Sequence, residues 1–358
     1  MRILIMANNV QELGGAQRVV HLLAQGLGSR GHDVVIIGVV PHEAPHVYES
    51  SPTYGTVTLL DDPYPKDASA RLAQEGAATE RLQRLLDDGP PGIVITAQLW
   101  AMEHLKRCQL GGWAVIGQYH SSFEAARAGR DLPRAKAVYR DVDVFTLLCD
   151  EDSSSFRAVG FNNVVTMPNP LAYWPAKASD ATDSVVTYLG RFSAEKGPRF
   201  LLEAWRLLAP GHPQWRLDMV GSGPLEQELW EGLDAGLPRI TFRPPTTDPM
   251  GVLMATGVLA LPSLTEGFPL ALAEAMACGV ACVASDCSSG VRALVDDGRT
   301  GLIARRGDAA HLAEQLARLM ESVDLRKRLG TAARQSVEGL QLPAVIDRWE
   351  ALFVDVLR

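Results

Sequence analysis

The run Leu261-Pro262-Ser263-Leu264-Thr265-Glu266-Gly267-Phe268-Pro269-Leu270-Ala271-Leu272-Ala273-Glu274-Ala275-Met276-Ala277-Cys278-Gly279-Val280 presents a strand end, a polar loop and a helix start, in that order. Val258 to Leu261 is a short apolar strand. Proline lacks a backbone N–H and suits the first helical position, so a helix is expected to begin near Pro269. The N–H groups of Phe268, Leu270 and Ala271 then have no helical partner, and together with the helix dipole they favour an anion. Glu266 lies just before this helix and Glu274 inside it. Two carboxylates turned toward one ligand accept hydrogen bonds from hydroxyls. The alternative is dipole compensation by Glu266 and a solvated face for Glu274.

The same strand–loop–helix rhythm runs outward in both directions. Val185 to Leu189, Leu217 to Val220 and Ala281 to Ala284 read as further strands of the second half, each followed by turn residues and a helical run. In the first half, Ile3 to Met6 is a buried strand, and Gly14-Gly15 turns into a helix from Ala16. Val34 to Gly38, Ile93 to Ile95, Trp113 to Gly117, Val144 to Leu148 and Val164 to Met167 complete that set. Short apolar runs alternating with amphipathic segments are the pattern of parallel sheets with helices on both faces. The fold class is therefore α/β, with two doubly wound Rossmann-like domains facing a cleft. Residues 1–168 form the first and 184–341 the second. The proline-rich, aperiodic stretch 169–183 serves as hinge. Residues 342–358 form an amphipathic helix expected to pack back on the first domain.

At 358 residues the chain is long enough for two cores. A formal net charge of −8 gives no bulk attraction to nucleic acid or anionic lipid. Cys108, Cys149, Cys278, Cys282 and Cys287 are odd in number and scattered, unlike a disulfide framework. With no histidine near the last three, they read as structural rather than metal-binding. No run approaches the roughly 20 apolar residues of a membrane span, and the first residues do not read as a signal peptide. A cytoplasmic protein is expected. One basic stretch, Ala126 to Arg140, carries Arg127, Arg130, Arg134, Lys136 and Arg140. It is either a contact to a phosphorylated polymer or to the inner face of the membrane, or a solvated face.

In open α/β sheets ligands bind beyond the carboxyl ends of the strands, so the strand-to-helix loops carry the candidate chemistry. Leu189-Gly190-Arg191-Phe192-Ser193-Ala194-Glu195-Lys196-Gly197 brings two cations to one such loop. An arginine fork and a lysine point charge can converge on a pyrophosphate; separate surface salt bridges are the alternative.

Gly190-Arg191 with Lys196-Gly197, Val220-Gly221-Ser222-Gly223-Pro224, and Glu266-Gly267-Phe268-Pro269-Leu270 with Glu274 occur in order. So do the run from Gly279 to Arg292 and Asp296-Asp297-Gly298-Arg299-Thr300-Gly301-Leu302. This ordered set resembles the donor-domain signature of retaining glycosyltransferase family 4, a GT-B family, and the resemblance spans nearly the whole chain. Gly14-Gly15-Ala16-Gln17-Arg18 resembles the family's glycine loop, a plain strand-to-helix turn being the alternative. His120 matches the family histidine beside the donor sugar, a structural histidine after a strand being the alternative. Asn169 matches the asparagine of an interdomain Pro-Asn-Gly element, but Pro170 replaces the glycine, which leaves a ligand role for Asn169 open.

The resemblance implies a UDP-sugar donor. Arg191 and Lys196 would neutralise the departing diphosphate, Glu274 would hold the ribose, and Glu266 would contact the transferred sugar. Backbone at Gly14, Gly15, Gly190, Gly221, Gly267, Phe268, Pro269 and Leu270 would line phosphates and sugar, with Arg243 and Pro244 near the base. No metal and no further cofactor are expected, because the two cations take that role. Asp141-Val142-Asp143 and Asp150-Glu151-Asp152 look superficially like a metal motif, but the first runs into a strand and the second opens a helix. The acceptor stays open between a glycan, envelope-polymer or lipid-linked hydroxyl and a small soluble molecule of natural-product biosynthesis. A UDP-sugar epimerase of the same fold and an inactive nucleotide-sugar-binding scaffold are the alternatives from other classes.

Overall fold

The computed structural model describes residues 1–65, 67–231 and 237–358. The contacts divide the chain into two compact units, Met1–Pro170 with Leu342–Arg358, and Leu171–Gln341.

The first unit runs β1 (Arg2–Ala7), α1 (Gly15–Ser29), β2 (Asp33–Gly38), β3 (Gly55–Thr58), α2 (Ala68–Asp87), β4 (Ile93–Thr96) and α3 (Leu99–Leu105). It continues with β5 (Ala114–Gln118), α4 (Phe123–Ala128), α5 (Asp131–Tyr139), β6 (Val144–Leu147), α6 (Asp150–Ala158) and β7 (Val164–Thr166). The second unit holds β8 (Val185–Leu189), α7 (Pro198–Leu208), β9 (Arg216–Val220), α8 (Glu226–Glu231), β10 (Ile240–Arg243), α9 (Pro249–Met254) and β11 (Val258–Leu261). Then follow α10 (Leu270–Ala277), β12 (Ala281–Ser285), α11 (Ser289–Leu294), β13 (Leu302–Ala304), α12 (Ala309–Glu321) and α13 (Val323–Ser336). The last helix, α14 (Leu342–Val356), belongs to the first unit.

Described residues of the first unit form a seven-stranded sheet ordered β3-β2-β1-β4-β5-β6-β7, and those of the second a six-stranded sheet ordered β10-β9-β8-β11-β12-β13. All pairings are parallel. Both strand orders reverse once, between β1 and β4 and between β8 and β11, and that reversal opens a crevice at the carboxyl ends of the strands. The strands that flank it are fully buried, as Ile3 to Met6 and Val258 to Ala260 show. That is why they read as continuous apolar runs rather than alternating ones.

Two apolar layers cover the first sheet. One packs Leu4, Met6 and Val94 with residues of α2, α3 and α5. The other packs Ile3, Ile5 and Ile36 with α1 and with Val345, Ile346, Trp349 and Phe353 of α14. Gly26 on α1 admits α14 closely, since a Cβ there would lie 2.6 Å from Ile346. In the second unit, Val186, Leu217, Met219, Trp205 and Leu316 share one core.

Three strands escape the apolar-run reading: β3, β10 and β13. Gly55–Thr58 and Ile240–Arg243 are edge strands that are largely uncovered, and Leu302–Ala304 is three residues long. Pro269 is the N-cap rather than the first helical residue, with φ −72° and ψ 100°, and α10 begins at Leu270. Most other element ends shift by a residue or so, the ordinary range at termini.

Residues 171–183 hold no helix or strand and are fastened to the second unit. The fully buried guanidinium of Arg326 donates to the carbonyls of Ala181, Leu319 and Met320 at 2.9, 2.6 and 3.2 Å and lies 4.9 Å from the Trp215 ring centre. Arg334 donates to the carbonyls of Pro175 and Ala277 and stacks on Trp174.

Candidate functional site

In the second unit the reversal point is lined by the loop after β8 and the loop after β11. The first loop leaves the sheet at Gly190 and makes a single 3-10 turn over Ala194–Lys196. It passes through Gly197 in the left-handed region, with φ 62°, into α7, where Pro198 occupies the helix start. Gly197 is required twice over: a Cβ would sit 2.2 Å from the Pro262 carbonyl oxygen of the other loop. Gly221, at φ 151°, lets the loop after β9 approach equally closely, since its Cβ would meet the Gly190 carbonyl oxygen at 1.9 Å.

Side chains then join the two loops. Lys196 Nζ donates to both Glu266 oxygens at 2.8 Å, and Ser263 Oγ donates to Oε1 at 2.7 Å. The Glu266 side chain is 6% exposed and that of Lys196 33%. The carbonyl of Glu195 accepts from the N–H of Leu264 at 2.8 Å. Sequence reading places Lys196 and Glu266 in separate roles; the structure makes them one unit, each holding the other in place. Arg191, by contrast, is exposed, and among the described residues its guanidinium makes no hydrogen bond or ion pair. It is the free cation of this loop. The carbonyl of Arg191 is fixed by the Tyr188 hydroxyl at 2.6 Å.

A further cation was not singled out from the sequence. Arg306, in the loop between β13 and α12, lies within Coulombic reach of Cys287, as do Glu266 and Lys196. Burial pushes the Cys287 thiol up to about 12, with Glu266 adding to the rise while Arg306 and Lys196 oppose it. Arg306 is exposed and has no ion-pair partner among the described residues. Its signal was modest: a basic pair after a three-residue strand and before the Gly307 turn.

The start of α10 completes this edge. Leu272 and Ala273 donate to the Pro269 carbonyl, and no acceptor receives the N–H of Leu270 or Ala271 among the described residues. Gly267 is held by α11: a Cβ on Gly290 would lie 1.7 Å from its carbonyl oxygen. Phe268 is 8% exposed. Glu274 is 2% exposed, so the solvated-face alternative does not apply to it. Arg243, at the end of β10, pairs with Asp218 Oδ2 at 2.8 Å, and Pro244 beside it is exposed.

In the first unit, Gly14 is the N-cap of α1 and Gly15 its first residue. The hydroxyl of Tyr48 accepts from the Gly14 N–H at 2.9 Å and donates to the Glu12 carbonyl, while Asn9 Oδ1 accepts from the N–H groups of Gln11 and Glu12. This pins the glycine loop from an irregular segment that carries no sequence signal. Across the reversal point, Gln98 Oε1 accepts from the Asn8 N–H at 2.7 Å. His120 follows β5; both ring nitrogens are shielded from solvent and lack a partner among the described residues. That burial pushes its imidazole down to about 4, so it is neutral at pH 7. Asn169 is buried with its Oδ1 unpaired among the described residues.

The two acidic runs are structural. Asp143 accepts from the Val115 N–H at 2.7 Å, Asp152 from the Phe123 N–H at 2.8 Å, and Asp150 from Thr166 Oγ1 at 2.6 Å. Among the described residues no group of three metal-ligating side chains occurs, all five cysteines are buried and unpaired by disulfides, and no helix is long and apolar enough to cross a membrane. Of the basic stretch, Arg134 is tied to Glu103 at 3.0 Å and to Asp131, while Arg127, Arg130, Lys136 and Arg140 are exposed.

Two parallel Rossmann-like units with glycine-hinged loops at each reversal point define the GT-B class of fold. Residues 13–172 match the family model described as Glycosyltransferase Family 4, and residues 183–322 match that of Glycosyl transferases group 1. The chain belongs to this glycosyltransferase family. A Haemophilus influenzae protein named as an uncharacterized glycosyltransferase is 26% identical over 349 residues, covering 96% of this chain and 97% of that protein. A TarM variant from S. aureus, solved with UDP and alpha-GlcNAc-glycerol, has a TM-score of 0.83 at 12% identity, covering 98% of this chain and 99% of that one. HepE from Anabaena, solved with UDP and glucose, has a TM-score of 0.80 at 17% identity, covering 99% and 100%. At such identities these two structures speak for the fold.

Proposed function

We propose that the protein transfers a hexosyl or N-acetylhexosaminyl unit from a UDP-sugar to a hydroxyl of a glycan, envelope polymer or lipid-linked acceptor, with retention at the anomeric carbon and without a metal ion. The observation that carries the donor reading is the loop pair at the second reversal point. There Lys196 and Glu266 are locked together, while among the described residues Arg191 and Arg306 form no ion pair. Such guanidiniums, with a lysine fixed by a carboxylate in the loop that also carries Arg191, suit a diphosphate, whose charge grows as the sugar departs. The N–H groups at Leu270 and Ala271 suit the same anion. Glu266, already oriented by Lys196 and Ser263, accepts from sugar hydroxyls, and the buried Glu274 is assigned to the ribose. UDP in the TarM and HepE structures supports the choice of nucleotide.

His120 acts as a neutral imidazole toward the donor sugar, because burial disfavours its charged form. Retention is read as front-face substitution, the departing phosphate oxygen taking the acceptor proton. With its four exposed cations, the Arg127–Arg140 segment gives peripheral contact with an anionic surface. Arg191, Lys196, Glu266 and Glu274 are all present, which disfavours a scaffold that has lost its site. Incubating the protein with UDP-glucose or UDP-N-acetylglucosamine and an envelope extract, in chelator, tests the reading. Proton NMR should show an α-linked product; a β-linked product, or a sugar epimerised without acceptor, overturns it.

A further inference from the structure

Away from the donor loops, the first unit contains a cavity of about 300 Å³ between α2, α3 and α5. Its apolar wall is Trp100, 38% exposed, with the Tyr64 ring edge-on to it at 6.2 Å. Arg71 lies over both rings, 5.3 Å from the centre of Trp100 and 4.8 Å from that of Tyr64. The polar wall alternates acceptors and donors. Glu75 receives Arg71 at 3.4 Å and Arg107 at 2.8 Å, and Glu103 receives Arg134 at 3.0 and 3.2 Å. His104, 6% exposed, lines the cavity too. Its Nε2 meets the Tyr64 hydroxyl at 2.6 Å, while its buried Nδ1 has no partner among the described residues.

We propose that this cavity binds a saccharide ring. The lining discriminates among ligand classes. A free anion would face three guanidiniums, but each is already matched to a carboxylate, and Glu75 and Glu103 would repel it. An apolar ligand would leave those charges without water. A sugar satisfies both walls: its C–H face covers the indole, and its hydroxyls donate to carboxylates and accept from guanidiniums at once.

Placement fits an acceptor. Trp100 stands two residues beyond Gln98, whose side chain holds Asn8 beside the first reversal point. Arg134 bonds Asp131, and Asp131 receives the hydroxyl of Tyr119, the neighbour of His120. Residues of the cavity wall are thus linked, within one unit, to the loops that carry Asn8 and His120. The inference rests on the transferase reading only where it calls the saccharide an acceptor.

The test is a calorimetric titration of the full chain with maltotriose, with N,N′-diacetylchitobiose and with inorganic phosphate. One saccharide should give a saturable change in the wild type and in Lys196→Ala, weakened about tenfold or more in Trp100→Ala and in Glu103→Gln. Glu103→Gln keeps the size of the wall, so a folding defect at Trp100 does not decide the matter. No saturable response to either saccharide, unchanged affinity in both variants, or a response to phosphate alone overturns the proposal. UDP titrated in parallel reports on the donor site separately, so either reading can fail without the other.

Discussion

Replacing Lys196 by methionine removes the ammonium while keeping the stem, and Glu266 then loses two 2.8 Å bonds and keeps only Ser263. Hydrogen bonds to a charged group are worth about 1.5–3 kcal/mol each. Lys196 is one-third exposed, so water recovers part of that, and the net cost is about 2–3 kcal/mol. The carboxylate, only 6% exposed, bears most of it. For a unit of this size that corresponds to a melting shift of roughly 5–10 °C. Glu266→Gln should cost a similar amount alone. In the double variant the two losses should fail to add, leaving a coupling of about 2 kcal/mol. Urea unfolding of the four proteins, read by hydrogen exchange of β8 and β11, measures that coupling. A value below about 0.5 kcal/mol would refute the reasoning, because the two loops would then be held by their backbones alone.

Arg326→Met should strip three buried carbonyls of their donor and cost about 3 kcal/mol or more, releasing residues 171–183 from protection in hydrogen exchange. Unchanged protection there would mean that the staple is not the Arg326 guanidinium. For His120, the folded-state value near 4 lies below the ordinary 6.5, so the unfolded chain takes up the proton first as pH falls. Stability contributed by the neutral ring is complete above pH 6.5 and is lost between 6.5 and 4, by up to about 3 kcal/mol. His120→Gln should lack that part of the pH dependence; parallel profiles for the two proteins would contradict the burial argument.

Most of the scaffold was legible because the strands flanking each reversal point are buried on both faces. Val258 to Leu261 and Ile3 to Met6 are unbroken apolar runs for that reason. Three of the four edge strands, β3, β10 and β13, were not legible: Ile240–Arg243 alternates on a half-covered surface, and Arg243 serves Asp218 instead of a core. The site was legible at the level of loops, since Arg191, Lys196 and Glu266 each follow a strand. Their pairing was not, because Lys196 and Glu266 are 70 residues apart and meet only through the β8–β11 adjacency. Tyr48 sits in a loop whose conformation comes from tertiary packing, so no local pattern pointed to it, and only a basic pair before a glycine turn marked Arg306. The state of His120 depends on the absence of a partner, which a sequence does not display.

The loops after β8 and β11 are proposed to hold a nucleotide diphosphate. Calorimetric titration with UDP, UDP-glucose, UDP-N-acetylglucosamine and their GDP counterparts, with EDTA present, tests it directly. One UDP-sugar should bind without metal, and Arg191→Ala should weaken UDP by about 30-fold or more, Arg306→Ala by a smaller factor in the same direction. Absence of binding by every nucleotide, or undiminished affinity in Arg191→Ala, would contradict it and leave the fold without the assigned site.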